Sequence, residues 1–153
     1  MGAIHTIWED LLDETSFGLF AIHCQSEDHS LAYALNAACG LCLSRTPCDL
    51  ELGNRACFPV FQWKDEAHYQ EWTLFRNTGW SLAAGPSGGL FPGQPSEVRH
   101  YLIPEKREVD YFLKVDGDED PPGLLEKLLS IPRLVTAYRL EASGLKSKYN
   151  LIY

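Results

Sequence analysis

Within residues 102–140 the hydrophobic period changes from two to about 3.6 and back again, and few folds accommodate that succession. Val109, Tyr111, Leu113 and Val115 fall on one side of an extended segment, with Asp110, Lys114 and Asp116 on the other. Phe112 interrupts the polar side, so that face is also expected to be covered in part. The acidic, proline-containing residues 116–123 end the strand. Leu124, Leu125, Leu128 and Leu129 then form one apolar stripe, which predicts a short helix. Ile131-Pro132 stops it, because the residue before a proline avoids the α region. Residues 134–140 supply β-branched and aromatic side chains for a second strand. Two strands joined by a helix imply a parallel pair with a right-handed crossover. Upstream, residues 98–103 are a predicted strand and residues 104–107 a turn, so a hairpin leads into this stretch.

A second strand–helix–strand unit is predicted near the start of the chain. Residues 17–24 form an apolar strand, and Ser26-Glu27-Asp28 supplies turn chemistry with Asp28 as N-cap. Leu31, Ala34, Leu35, Ala38 and Cys39 give the strongest helical pattern in the chain, and Gly40 follows as the C′ residue. Residues 41–52 are extended, interrupted by Pro47. Residues 1–16 fit either a helix through Ile4, Trp8, Leu11 and Leu12 or a strand with a turn.

Between the two units lies an aromatic hairpin, residues 58–64 and 69–77, joined by Asp65-Glu66-Ala67-His68. Pro59 places the start of its first strand at an edge, and residues 80–84 extend the pairing. Residues 85–96 hold Gly85, Pro86, Gly88, Gly89, Pro92, Gly93 and Pro95, which predicts a flexible loop with Leu90-Phe91 as a tether. Residues 145–153 form a final docked segment. The expected architecture over residues 1–153 is one α+β domain. Two β-α-β units, ferredoxin-like with an ACT-like last unit, lay their helices on one face of a mostly antiparallel sheet extended by the inserted β-hairpin. Such a likeness of architecture does not carry a function.

Length and charge narrow the options. A chain of 153 residues can bury roughly 68–70% of its unfolded surface, so it needs neither disulfide nor metal to be stable. The net charge of −8 argues against nucleic acid, whose phosphates require clustered Lys and Arg. Arg133, Arg139, Lys146 and Lys148 concentrate positive charge weakly near the end, where a solvated strand face explains them. No apolar run reaches membrane-spanning length, and the first residues lack the basic start and apolar core of a secretion signal. The expected compartment is the cytoplasm, with the five cysteines reduced.

Ile103-Pro104-Glu105, three residues, then Val109-Asp110-Tyr111 match the motif that names the IPExxxVDY family of Bacteroidetes-type bacteria. Glu27-Asp28-His29, Leu31-Ala32-Tyr33, Asn36, Ile131-Pro132 and Thr136-Ala137-Tyr138 are similar to that family as well. So are Leu145-Lys146-Ser147 and Asn150-Leu151-Ile152-Tyr153. The resemblance implies a cytoplasmic housekeeping context and no particular chemistry. Its polar members, Asp28, Tyr33, Asn36, Glu105, Asp110, Lys146 and Asn150, are the candidate binding residues. Asn36 would need a partner if buried. Bonding between turns and strands explains most such residues, and a ligand or partner site where the two units meet is the functional alternative.

Other signals favour structural explanations. Cys39-Gly40-Leu41-Cys42 is a CxxC, but Cys48 and Cys57 follow at poor spacing for zinc, and the pair ends a helix instead of opening one. His23, Cys24 and His29 could supply a thiol–imidazole pair, without an evident orienting group. Asp116, Asp118 and Asp120 alternate as in a calcium loop that fails at Pro121 and Lys127. The glycines of residues 85–93 match no phosphate-binding pattern. No cofactor is therefore expected, and catalysis is not favoured. The leading expectation is a non-enzymatic protein-binding or adaptor module, or a homodimer, with Phe61, Trp63, Trp72 and Phe75 as the contact aromatics. The alternative is a small-molecule sensor; an enzyme using Cys24, His23 or His29 comes third.

Overall fold

The structure is a computed structural model and describes residues 17–53, 55–83, 96–117 and 121–152. Along these residues the chain runs β1 (Phe17–His23), α1 (Asp28–Cys39), β2 (Ser44–Arg45), β3 (Leu50–Glu51), β4 (Cys57–Phe58), β5 (Val60–Asp65) and β6 (Gln70–Arg76). It continues through β7 (Thr78–Ala83), β8 (Ser96–Tyr101), β9 (Tyr111–Asp116), α2 (Leu124–Leu129) and β10 (Thr136–Leu140), with 3-10 turns at Pro104–Lys106, Ala142–Gly144 and Lys148–Leu151. Expectations for residues 1–16, for the glycine- and proline-rich loop with its Leu90-Phe91 tether, and for Asp118 and Asp120 concern residues outside those described.

β1 is apolar on both faces because both are covered. Its neighbours are β9 on one side and β10 on the other, and the larger sheet has the order β10-β1-β9-β6-β5-β2. Every pairing among the described residues is antiparallel. The expected parallel pair is thus corrected: β9 and β10 run the same way, but β1 lies between them. Strand alternation divides the core in two. Ile22, Trp72, Leu74, Leu113 and Val115 pack with Leu31 and Leu35 of α1 and with Leu124 and Leu128 of α2. Both helices therefore lie on one face. Leu19, Ala21, Phe75 and Phe112 point the other way, onto Phe58, Val60, Leu102, Ile103, Leu145 and Leu151. Phe58, Phe75 and Phe112 are fully buried there, each worth roughly 1.5–3 kcal/mol over an exposed ring.

The second face is covered by a smaller sheet that the sequence reading missed, with the order β3-β4-β7-β8. Two residues route the chain between sheets. Pro59 interrupts what was expected to be one strand over residues 58–64: β4 pairs with β3 and β7, whereas β5 pairs with β6 and β2. Proline has no N–H for a ladder, so the strand changes sheet there. Asn77 separates β6 from β7, where its backbone N–H leaves the β6 ladder to donate to the Asp110 carbonyl. Gly79 permits the close crossing that results, since a Cβ there would sit 2.5 Å from the Cys57 carbonyl oxygen and 2.6 Å from the Phe58 ring.

Further boundaries need correction. Residues 98–103 do not form a hairpin with the central strand, because β8 pairs with β7 in the smaller sheet while β9 lies in the larger one. Fully buried Leu102 and Ile103 pin the connection between them. The extended residues 41–52 yield only the two-residue β2 and β3, one in each sheet. α1 begins at Asp28, with Glu27 in the N-cap position and no side-chain cap bond. The Asp28 carboxylate instead accepts from the His29 N–H at 2.7 Å. Ala32, not Ala38, completes the buried face of α1. At the other end Gly40 adopts φ 68°, as the predicted αL cap requires, and donates to the Asn36 carbonyl. Leu129 of the α2 stripe turns outward and is 54% exposed.

Candidate functional site: an arginine-lined cleft

The segment that bears the Ile103 to Tyr111 motif is fixed by one residue outside it. Asn77 is fully buried, and all five of its hydrogen-bonding positions are used. Its N–H donates to the Asp110 carbonyl at 2.9 Å, and its carbonyl accepts from the Leu102 N–H at 2.8 Å. Its side-chain oxygen accepts from the Ile103 N–H at 2.9 Å. Its Nδ2 donates to the Lys106 and Val109 carbonyls, both at 2.8 Å. The motif's own side chains reach outward from this brace. Asp110 Oδ2 accepts from the Cys24 N–H at 2.9 Å, and the Tyr111 hydroxyl donates to the Ser26 carbonyl at 2.7 Å. Glu105 accepts from both the backbone N–H and the hydroxyl of Ser147, and Asn150 Nδ2 donates to the Leu102 carbonyl. Desolvation pushes the Glu105 carboxyl up, but the two Ser147 bonds, with help from the Glu105 and Lys146 amides, outweigh it and hold the group below its ordinary pKa.

The brace leaves a cleft of about 310 Å³ where the two sheets meet beside residues 24–26. Arg76 at the end of β6, Arg99 on β8 and Arg107 after the Pro104–Lys106 turn all line it, with Tyr101, Asp110 and Tyr111. Three of the chain's seven arginines thus meet in one concavity of a protein whose net charge is −8. Among the described residues none of the three forms an ion pair with a carboxylate. Arg99 instead lies over the Trp80 ring at 5.3 Å, and Arg107 over the Tyr101 ring at 5.4 Å. Stacking on a ring face steadies a guanidinium while its in-plane N–H groups stay available. The cleft can therefore hold an anion.

Burial pushes the Tyr111 phenol up to about 12; Arg76 opposes the shift, while Asp28, Cys24 and Asp110 reinforce it. The folded value lies above the ordinary tyrosine value of 10, so the stability it contributes is complete below pH 10. It is lost as pH climbs through about 12. Tyr111→Phe should flatten the fall in thermal stability between those pH values and cost about 1 kcal/mol at neutral pH through the lost Ser26 bond. Thermal unfolding followed against pH checks both.

Of the seven candidate residues only Asp110 lines the cleft. Asp28 pairs with Arg45 at 3.5 Å, and Arg45 also bonds Asp49. Asn36 trades two hydrogen bonds with the Leu43 backbone, which meets its need for a partner. Tyr33 stands 77% exposed on α1, and Lys146 is exposed near the end of the chain. Glu105 and Asn150 tie the C-terminal residues to the motif. Arg76, Arg99, Arg107 and Asn77 escaped the sequence reading. A signal existed for the arginines: residues 76–107 carry four cations and two carboxylates in an otherwise acidic chain.

The other candidates disperse. Cys24 is buried with its thiol directed at the Arg133 carbonyl, His23 Nε2 shares a hydrogen bond with the Tyr138 hydroxyl, and His29 sits exposed beside Glu27 and Asp28. Phe61, Trp72 and Phe75 are core residues, and Trp63 is half-buried. Among the described residues the indole N–H of Trp72 has no partner. Burial raises the pKa of the Cys39 thiol against the opposing pull of Lys127, while Cys42 is exposed. Among the described residues no helix is long and apolar enough to cross a membrane. Comparison with protein-family models, curated proteins and solved structures finds no match to this chain.

Proposed function

We propose that the protein is a non-catalytic binding module whose arginine-lined cleft receives a small anionic molecule. The observation that carries this reading is the convergence of Arg76, Arg99 and Arg107 on one concavity, without carboxylate partners among the described residues. Exposed like charges repel, so three guanidiniums facing one space are stabilised by an anion between them. A volume of about 310 Å³ lies at the small end of ligand pockets. It suits a metabolite better than a protein surface, and the burial of Phe61, Trp72 and Phe75 removes the aromatic patch that motivated an adaptor or homodimer. A cytoplasmic place and membership of the IPExxxVDY family accord with this reading; the family rests on the motif residues and the compartment on the sequence features given with it.

The finer fold assignment belongs here too. The order β10-β1-β9-β6 supports a ferredoxin-like assignment, with β9, α2 and β10 as its last β-α-β unit. The first unit fits less well, because α1 leads into short strands at the far edge. On this assignment the cleft lies on the side where β6 leaves the larger sheet, and a ligand there would touch both sheets at once. That is the placement a sensor needs.

A thermal-shift panel of anionic metabolites in low-salt buffer tests the function. A ligand present at about a hundred times its Kd should raise the midpoint by roughly 5–10 °C. Arg76→Gln and Arg99→Gln should each remove most of that rise. An unchanged midpoint across the anionic compounds, or a rise that both variants retain, would refute the assignment.

A further inference from the structure

We infer that the bound anion is the phosphoryl group of a small phosphate monoester, and that the organic part of the ester donates a hydroxyl or amino hydrogen to Asp110. This rests on the cleft being an anion site, as proposed above. Charge selects first. The lining holds three guanidiniums and one carboxylate, a net of two positive charges. A phosphate monoester carries about −1.5 to −2 near neutral pH, whereas a single carboxylate carries about −1 and leaves a cation uncompensated.

Geometry selects next. A carboxylate is satisfied by the two parallel N–H groups of one guanidinium. Here the three arginines come from separate segments, β6, β8 and the residues after the 3-10 turn, so no two of them are held by the same element. A tetrahedral group with three terminal oxygens offers one oxygen to each fork, whereas a planar carboxylate has two oxygens to share among the three. The rings of Trp80 and Tyr101 already hold two of the forks.

Asp110 then rules out a bare anion as the best ligand. Its Oδ2 accepts the Cys24 N–H, and its Oδ1 has no partner among the described residues. A carboxylate oxygen beside a bound phosphoryl group repels it unless a donor lies between them. A hydroxyl or amino group one carbon beyond the ester carbon supplies that donor. Size closes the choice. A space of about 310 Å³ lies at the small end of ligand pockets and favours a compact ester such as glycerol 3-phosphate over a nucleotide.

Titration calorimetry on the full chain at low salt tests the inference with glycerol 3-phosphate, methyl phosphate and glycerate. Glycerol 3-phosphate is expected to bind at least about tenfold more tightly than glycerate and several-fold more tightly than methyl phosphate. Asp110→Asn retains an oxygen for the Cys24 N–H and should narrow the gap between the two phosphates; Arg99→Gln should weaken both. Glycerate binding as tightly as glycerol 3-phosphate would overturn the phosphoryl assignment and leave the anion site standing. Equal affinity for the two phosphates would overturn the role of Asp110. Silence from all three compounds would remove the anion site itself. Vesicles containing phosphatidic acid separate a lipid headgroup from a free ester: retention on them without binding of glycerol 3-phosphate would overturn the free ester.

Discussion

Asn77→Ala should destabilise the protein by about 3–5 kcal/mol, because it leaves the Ile103 N–H and the Lys106 and Val109 carbonyls without their partner. Unpaired buried groups cost about 1–3 kcal/mol each, and local relaxation recovers part of the sum. Against a typical stability of about 5–15 kcal/mol that is a large fraction. Asn77→Asp separates hydrogen bonding from space filling. The carboxylate is nearly isosteric, yet it points an acceptor at two carbonyls and carries a charge in a fully buried place. It should be at least as damaging as alanine. Urea unfolding of the two variants checks the order. A near-neutral Asn77→Asp would mean that the residue only fills space.

Deletion of residues 145–153 should abolish stable folding at 37 °C, with an expected cost of about 7–10 kcal/mol. Leu145 and Leu151 complete the core between the two sheets, and buried leucines removed from cores cost about 2–5 kcal/mol each. Lys114 adds a second term. Its Nζ donates to the Leu151 carbonyl at 2.9 Å, pairs with Asp116 at 3.2 Å and lies 4.9 Å from the centre of the Phe17 ring. Its side chain is 11% exposed, so loss of the segment strands a cation in an apolar setting. Lys114→Met alone should change stability by less than about 1 kcal/mol, since a hydrophobic isostere of a buried ion often costs nothing. In the Lys114→Met background the same deletion should cost about 2 kcal/mol less than in the native chain. Chemical denaturation of the four chains at about 10 °C in a stabilising osmolyte, where the shortened chains regain a folded baseline, measures the difference. Equal costs in the two backgrounds would show that Lys114 does not sense the segment.

Residues with a simple period announced their places. Leu31 and Leu35 repeat at helical spacing and are buried, and Leu124 with Leu128 do the same. The alternation through Tyr111, Leu113 and Val115 placed one face of β9 correctly, and Phe112 correctly signalled cover on the other; Val109, expected on the first face, precedes the strand and packs in the second core layer with Phe112. The smaller sheet stayed hidden because its strands β3 and β4 have two residues each, too short to show alternation. The turns at Pro59 and Asn77 redirect strands by hydrogen bonding and by the lack of a donor, and neither leaves a periodic trace. Most candidate polar residues turned out to hold backbone in place. Asp110 alone stood where the cleft forms, because its strand opens at the junction between sheets. The arginines that face it are separated by up to 31 residues in sequence, from Arg76 to Arg107, and only the pairing of β6 with β9 and of β7 with β8 brings them together.

The central claim is that Arg76, Arg99 and Arg107 act as one anion site. Guanidinium NMR on the ¹⁵N-labelled full chain, titrated with glycerol 3-phosphate at constant ionic strength, observes all seven arginines at once. The expected result is that the side-chain signals of these three move together and saturate on one binding curve, while Arg45, Arg55, Arg133 and Arg139 stay in place. Small unsaturating shifts spread evenly over all seven would contradict it.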